Sequence, residues 1–347
     1  MDSDLQLIES IAPDFLQTVQ WRYRILQRIS WMQPVGRRIL AADLGTSERT
    51  LRRETDLFRK NGLLETSKSG MSLTGKGRQL VQQLSGLMDQ LHDTSALRKQ
   101  LVTVLGIAQV IIVPGNSERH QGVLSLMGQQ LDELLQLLLP GGRSIIAVMG
   151  GTTMAAVSKS LSPSLANERN LLFVPARGGL GETMAIQANT ICAEMAEHSG
   201  GLYRNLYVPE DISAKSVAPL LQEPVVKSVL DLINHADVVI HSIGRARTMA
   251  NRRNMTSSEI DLLTRKKAVA EAFGDFLDAQ GHVVYKVPKI GLQISDLHDI
   301  SHVIAIAGGP SKAAAIAAYM KVAPHQTTLI TDEAASEMIL RGKKPLK

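Results

Sequence analysis

The stretch Ser144-Ile145-Ile146-Ala147-Val148-Met149-Gly150-Gly151-Thr152-Thr153 decides the fold. Its first six residues, nearly all apolar, read as a strand buried on both faces, a glycine pair ends that strand, and two threonines open a helix. Strand, tight turn and helix form the repeating unit of a parallel sheet. The unit recurs downstream. From Leu105 onward the pattern predicts strands over 108–113, 144–149, 171–174, 206–208, 237–242, 282–286, 302–307 and 327–330, alternating with helices over 121–139, 152–161, 182–198, 225–235, 264–279, 312–319 and 332–341. Residues 104–347 therefore read as a Rossmann-like α/β domain with a largely parallel sheet.

In open α/β sheets ligands gather at the carboxyl ends of strands. Four of those ends are unusual here: Gly150-Gly151-Thr152-Thr153; Pro175-Ala176-Arg177-Gly178-Gly179-Leu180-Gly181-Glu182; Ile243-Gly244, followed by Arg245, Arg247, Arg252 and Arg253; and Gly308-Gly309-Pro310-Ser311-Lys312. Glycines let a ligand approach the backbone, helix N-termini present free N–H groups, and Thr, Ser, Lys or Arg adds donors. Taken singly, each is a tight βα turn or a surface arginine. Together they suit a phosphorylated small molecule, with cations enough for two phosphates. No dinucleotide fingerprint or Walker phosphate loop is present.

The chain has 347 residues, with 44% hydrophobic and only 3% aromatic residues, which is ample for a core built on aliphatic side chains in two or three domains. One cysteine excludes a disulfide scaffold and any multi-cysteine metal site. The polar, acidic start and the lack of a long apolar run predict a soluble, cytoplasmic protein with no membrane association. The net charge of +5 is mild, but it is unevenly placed. Residues 20–80 hold thirteen bases against five acids, and residues 100–347 hold 23 against 22. A basic module of this kind is either a footprint for nucleic acid or a solvated basic face.

Pattern extends that reading. Tyr23, Leu26, Ile29 and Ser30 recur at helical spacing, Pro34 and Gly36 stop the helix, and 37–44 restarts one. Gly45 supplies a turn and Ser47 a cap for a third helix from Glu48 to about Lys60, with Leu51 and Phe58 on one face and Arg49, Arg52 and Arg53 largely off it. A core stripe opposed by arginines is the layout of a helix that enters the major groove. Two short alternating runs around Ser67-Lys68-Ser69-Gly70 form a hairpin, so residues 1–75 read as a winged helix-turn-helix. Arg49, Thr50, Arg52, Arg53 and Lys68 are its candidate DNA contacts, with Lys68 on the wing; the other reading is a winged helix that serves protein contacts only. Over 76–103, Leu80, Leu84, Leu87 and Leu91 give a short heptad seam, either a dimer coiled coil or a linker helix, with a break expected at Asp93-Thr94-Ser95.

The run Ser47-Glu48-Arg49-Thr50-Leu51-Arg52-Arg53-Glu54, continuing to Asn61-Gly62-Leu63-Leu64, resembles the recognition helix of DeoR-type repressors. In the large domain, Met149–Ala155, Val174–Glu182, Thr248–Asn254, Val269–Gly274 and Ala307–Ala313 resemble the effector-binding domain of the SorC family. That resemblance implies a sugar-phosphate-binding domain similar to the sugar isomerase and deaminase fold, with catalysis lost. It also implies a homo-oligomeric repressor, dimer or tetramer, of a glycolytic operon, with operator DNA as partner and fructose 1,6-bisphosphate as inducer, and no cofactor. Carried onto this chain, Gly151, Thr152, Thr153 and Arg177 would hold one phosphate. Arg252, or its neighbour Arg253, and Lys312 would hold the other, and Glu271 would accept sugar hydroxyls. The basic Arg265-Lys266-Lys267 segment has either a phosphate contact or plain surface as its role.

An enzyme remains the rival, an isomerase or deaminase with an appended DNA head, for which Glu271 and Glu182 are the carboxylates near the ligand loops. His235, His241, His282, His298 and His302 are scattered without a metal-binding spacing. A structural adaptor would leave the cationic glycine turns without a purpose.

Overall fold

The computed structural model describes residues 11–91, 94–178, 183–208 and 214–342. The chain divides into two compact units, 1–95 and 96–347.

In the first unit, α1 (Pro13–Met32), α2 (Arg37–Asp43) and α3 (Glu48–Lys60) precede a hairpin of β1 (Leu64–Ser67) and β2 (Gly70–Leu73). Helix α3 begins where Ser47 caps it, its Oγ accepting the Thr50 N–H at 3.1 Å, and buries Leu51, Thr55 and Phe58 against Ile25, Ile29 and Leu40. The hairpin is held to the helices by backbone bonds between Val35 and Met71 and by the Leu73 N–H donated to Gln33 Oε1 at 2.8 Å. This is the expected winged helix-turn-helix. Helix α4 (Gly75–Leu91) follows, and Leu80 packs on the core of this unit rather than facing away from it. The side chains of Leu87 and Leu91, half of the heptad seam, lie outside the described residues. The helix expected over 76–103 is two: α5 (Thr94–Leu105) starts within the Asp93-Thr94-Ser95 break and lies almost wholly in the second unit.

The second unit is built on a seven-stranded parallel sheet, in the order β3 (Gln109–Val113), β13 (Thr327–Asp332), β12 (His302–Ile306), β7 (Val238–His241), β4 (Gly142–Val148), β5 (Arg169–Pro175), β6 (Leu202–Tyr203). Its central strands are largely buried, which is why β4, β7 and β12 read as mainly apolar runs. Helices α6 (Gln121–Leu138), α7 (Thr152–Val157), α8 (Ala188–Ser199), α9 (Ala214–Gln222), α10 (Pro224–Asn234), α11 (Ala246–Arg252), α12 (Ser257–Arg265), α13 (Ala313–Tyr319) and α14 (Glu333–Arg341) complete the crossovers and connections.

Five expectations need correction. The helix over 264–279 is instead the end of α12 followed by a hairpin of β9 (Ala268–Ala272) and β10 (Asp275–Asp278). Alanine-rich composition suggested a helix there, but Phe273 at φ 53° and Gly274 at φ 83° make the two-residue turn that reverses the chain. With β11 (Val283–Lys286) and β8 (Gly244–Arg245) these strands form a separate four-stranded antiparallel sheet, so the strand expected over 282–286 leaves the parallel sheet. The strand placed at 206–208 lies at Leu202–Tyr203, because the Leu206 backbone bonds to the side-chain amide of Asn189, at 3.0 and 3.1 Å, rather than to a neighbouring strand. The helices over 152–161 and 182–198 are shorter than expected: α7 passes into a 3-10 turn at Ser158, whose hydroxyl bonds the Ala155 carbonyl, and α8 begins only at Ala188.

Candidate functional site

The ends of four adjacent strands, β12, β7, β4 and β5, converge on one cavity of about 420 Å³. Gly151, Thr152, Thr153, Arg177, Arg252, Glu271 and Lys312 all line it. Arg245 and Arg253 bring the lining cations to five, against the carboxylates Glu118 and Glu271. Such a balance favours a small anionic ligand.

Each position has a local cause. Gly151 sits at φ 128° between β4 and α7, a conformation that favours glycine, with its N–H donated to the Ile186 carbonyl at 2.8 Å. Thr152, exposed, and Thr153, buried, then open the helix. Arg177 follows β5 and is 3% exposed; its backbone is bridged to Gly291, where a Cβ would collide with Ala176 and Arg177. That close approach fixes the backbone that carries the guanidinium. The rest of its motif, Gly179-Leu180-Gly181-Glu182, lies outside the described residues, and with it the candidate carboxylate Glu182.

Strand β7 passes through Ser242-Ile243 into β8, where Gly244 pairs with Glu271 on β9. This second sheet carries Glu271 to the mouth of the first. Glu271 is buried, and its Oε1 accepts the Arg253 Nη2 at 2.9 Å and the Gly274 N–H at 2.7 Å. Arg253 is thereby committed to an ion pair within the protein. Arg252, the last residue of α11, has no carboxylate within ion-pair distance among the described residues, so of the two neighbours it is the better placed for a ligand phosphate. Lys312 Nζ donates to Thr153 Oγ1 at 3.1 Å, which ties the loop after β12 to the loop after β4. Burial pushes the Lys312 ammonium down to about 8, and the Arg252 guanidinium adds to the fall.

Beneath the cavity, burial lowers His241 to about 4, so its imidazole is neutral at neutral pH, and its Nε2 lies 3.0 Å from the Tyr319 hydroxyl. Among the described residues there is no group of three or more His, Cys, Asp or Glu side chains able to hold a metal ion, and no helix long and apolar enough to cross a membrane.

Sequence reasoning quoted Ser311 within its turn but missed Phe273 and Glu118 in the lining and Asp332 behind it. The fully buried Asp332 accepts Ser117 N–H at 2.7 Å and Gly309 N–H at 2.8 Å on Oδ2, and so braces two loops at once. The signal for Glu118 was a strand ending in Pro114-Gly115-Asn116, a fifth turn of the same type.

In the first unit, Arg49, Thr50, Arg52, Arg53 and Lys68 are all exposed. Thr50 shares its hydroxyl with Ser47 at 2.8 Å, and the buried Glu54 accepts the Arg22 Nε at 2.8 Å, so α3 is tied to α1 from behind while its arginines face outward. Lys68 sits at the hairpin tip, beside the Ser67–Gly70 closing pair.

Comparison with known proteins agrees with this architecture. Residues 89–341 match the family described as "Putative sugar-binding domain", and residues 18–88 match the CggR N-terminal DNA binding domain. The sequence is 42% identical over 343 residues to the central glycolytic genes regulator of Bacillus subtilis, covering 99% of this chain and all of that one. It is 41% identical over 341 residues to the regulator of the same name from Priestia megaterium, covering 98% and 99%. A solved structure from Enterococcus faecalis, a "putative SorC family transcriptional regulator", is 53% identical with a TM-score of 0.68, over 71% of this chain and 99% of that chain. The full-length sorbitol operon regulator SorC from Klebsiella pneumoniae, 18% identical, shares the fold over 93% of this chain and 98% of its own, at a TM-score of 0.65.

Fold and site together thus define a DNA-binding transcriptional regulator with a sugar-binding α/β domain, not an enzyme. The chain belongs to the SorC family.

Proposed function

We propose that the protein is a repressor of a glycolytic operon, released by fructose 1,6-bisphosphate. The supporting observation is one cavity whose lining brings together Gly151–Thr153, Arg177, Arg252 and Lys312, enough donors and cations for a small molecule with two phosphates. Glu271, oriented by Arg253 and the Gly274 amide, is positioned as an acceptor for hydroxyls between the phosphates. The names of the full-length relatives supply the glycolytic context.

On DNA, α3 enters the major groove and the wing carries Lys68 to the backbone. A homo-oligomer pairs two such heads on a two-part operator and gains affinity through avidity. A bisphosphate that joins the loops after β4, β5 and β12 selects an arrangement with weaker operator affinity, and by linkage the operator lowers bisphosphate affinity by the same factor. Calorimetric titration of fructose 1,6-bisphosphate, with and without operator, tests both halves. Micromolar binding that operator DNA weakens is expected; no binding sinks the effector assignment, and an affinity indifferent to operator sinks the coupling.

A further inference from the structure

Glu118 lies in the loop after β3 and is exposed, yet its carboxylate reaches into the cavity. Its Oε1 accepts the Ser311 N–H at 3.1 Å and the Ser311 hydroxyl, across 193 positions of sequence. It also lies against Gly309, where a Cβ would collide with the Glu118 side chain as it stands. Ser311 is the middle residue of the 3-10 turn Pro310–Lys312, which runs directly into α13. An amide in a first helical turn lacks an intrahelical acceptor and turns to an anion when one is near. The anion beside these donors and Lys312 is one of the protein's own.

The loop that carries Glu118 is pinned independently of its side chain. Ser117 N–H is held by Asp332, Gly115 N–H by Glu333 Oε2 at 3.2 Å, and the Glu118 N–H by Asn116 Oδ1 at 2.9 Å. A rotation of the exposed side chain alone would clear Ser311 and leave the loop in place.

We propose that Glu118 is an internal occupant of the phosphate position at Gly309–Lys312, displaced by the incoming phosphoryl group, and so sets the affinity of the pocket for its effector. The inference rests on the sugar-phosphate reading above and adds the residue that competes with the ligand. A phosphoryl dianion and this carboxylate cannot share the Ser311 donors, and like charges this close oppose each other. Weak, singly charged anions fail to displace it, whereas a bisphosphate whose other phosphoryl group is held by Arg177 and Gly151–Thr153 succeeds. Glu118 therefore acts as a threshold against small anions and as a selector for a ligand with two phosphates.

The test uses the full chain and its Glu118→Gln and Glu118→Ala variants, checked by circular dichroism, titrated with fructose 1,6-bisphosphate by calorimetry and with inorganic phosphate by thermal unfolding. Both variants are expected to bind the bisphosphate about tenfold more tightly, a difference of about 1.4 kcal/mol. Both are also expected to gain a larger unfolding shift from inorganic phosphate than the parent chain does. Unchanged bisphosphate affinity overturns the proposal, and so does weakened affinity, which would make Glu118 a direct ligand contact. If the parent chain binds no bisphosphate, the effector reading fails and the phosphate arm decides alone: a larger shift in the variants sustains displacement, and an equal shift overturns it.

Discussion

Arg52 on α3 and Arg177 after β5 carry the same guanidinium in opposite settings. Arg52 stands in solvent on a helix whose other face is core, while Arg177 is 3% exposed on a stretch bridged to Gly291. An exposed cation meets a polyanion through counterion release, so its contribution is shared among many contacts and fades with salt. A buried one has given up its hydration on folding and is aimed before the ligand arrives, so its contribution is large, directional and weakly screened. On the proposed function, the molecule handles two anions, a long polymer and a small bisphosphate, by placing the same chemistry at different depths.

The sharpest way to break that comparison is inside the cavity. Arg253→Ala leaves Glu271 buried without its cation and is expected to cost about 3–5 kcal/mol of stability, read as a fall in the chemical unfolding midpoint. A loss below about 1 kcal/mol would place the pair among surface-like contacts. Arg177→Ala removes a buried phosphate partner, and bisphosphate affinity should fall about 100-fold or more with little dependence on salt. A steep salt dependence of that affinity would erase the distinction between depths. Arg52→Ala should weaken operator binding by about 1–3 kcal/mol while sparing nonspecific DNA, if the side chain reads bases. Equal losses on both DNAs would make it a backbone contact.

The pH response follows next in size. Lys312 is pulled down to about 8 in the free protein, and a bound dianion favours its protonated form. Bisphosphate affinity is therefore full below about pH 8 and declines as pH rises through that value, by about tenfold between pH 7 and 9. Lys312→Arg, which puts a guanidinium in place of the ammonium, should flatten the profile, which calorimetry at three pH values would show. Smallest of all, Lys68→Ala should weaken binding to every DNA alike and lower the salt slope by about one.

How much of this was legible in the sequence depended on how local the cause was. Helix α3 was readable to its ends, because its cap at Ser47, its stripe of Leu51 and Phe58 and its stop at Asn61-Gly62 are all near neighbours. The glycine-ended strands were equally plain, since a backbone that must meet a ligand has few substitutes for glycine there. Glu271 was picked out as a site residue while its local structure was misread as helix. Its strand exists because Phe273 and Gly274 turn the chain onto β10 and because Gly244 pairs with it from 27 positions upstream, and neither is visible to a helical period. Glu118 was missed for the same reason: its partner Ser311 is almost two hundred residues away.

The Lys312–Thr153 bond closes a loop of 159 positions, and the cavity exists only while both of its ends are in register. Denaturation anywhere in the parallel sheet abolishes the pocket, so the ligand binds the native chain and not the unfolded one. At a hundred times its dissociation constant a ligand of that kind adds about 2.7 kcal/mol to the native state, enough to change survival against proteases several-fold. The effector would then govern how much of the regulator a cell keeps as well as what the regulator does.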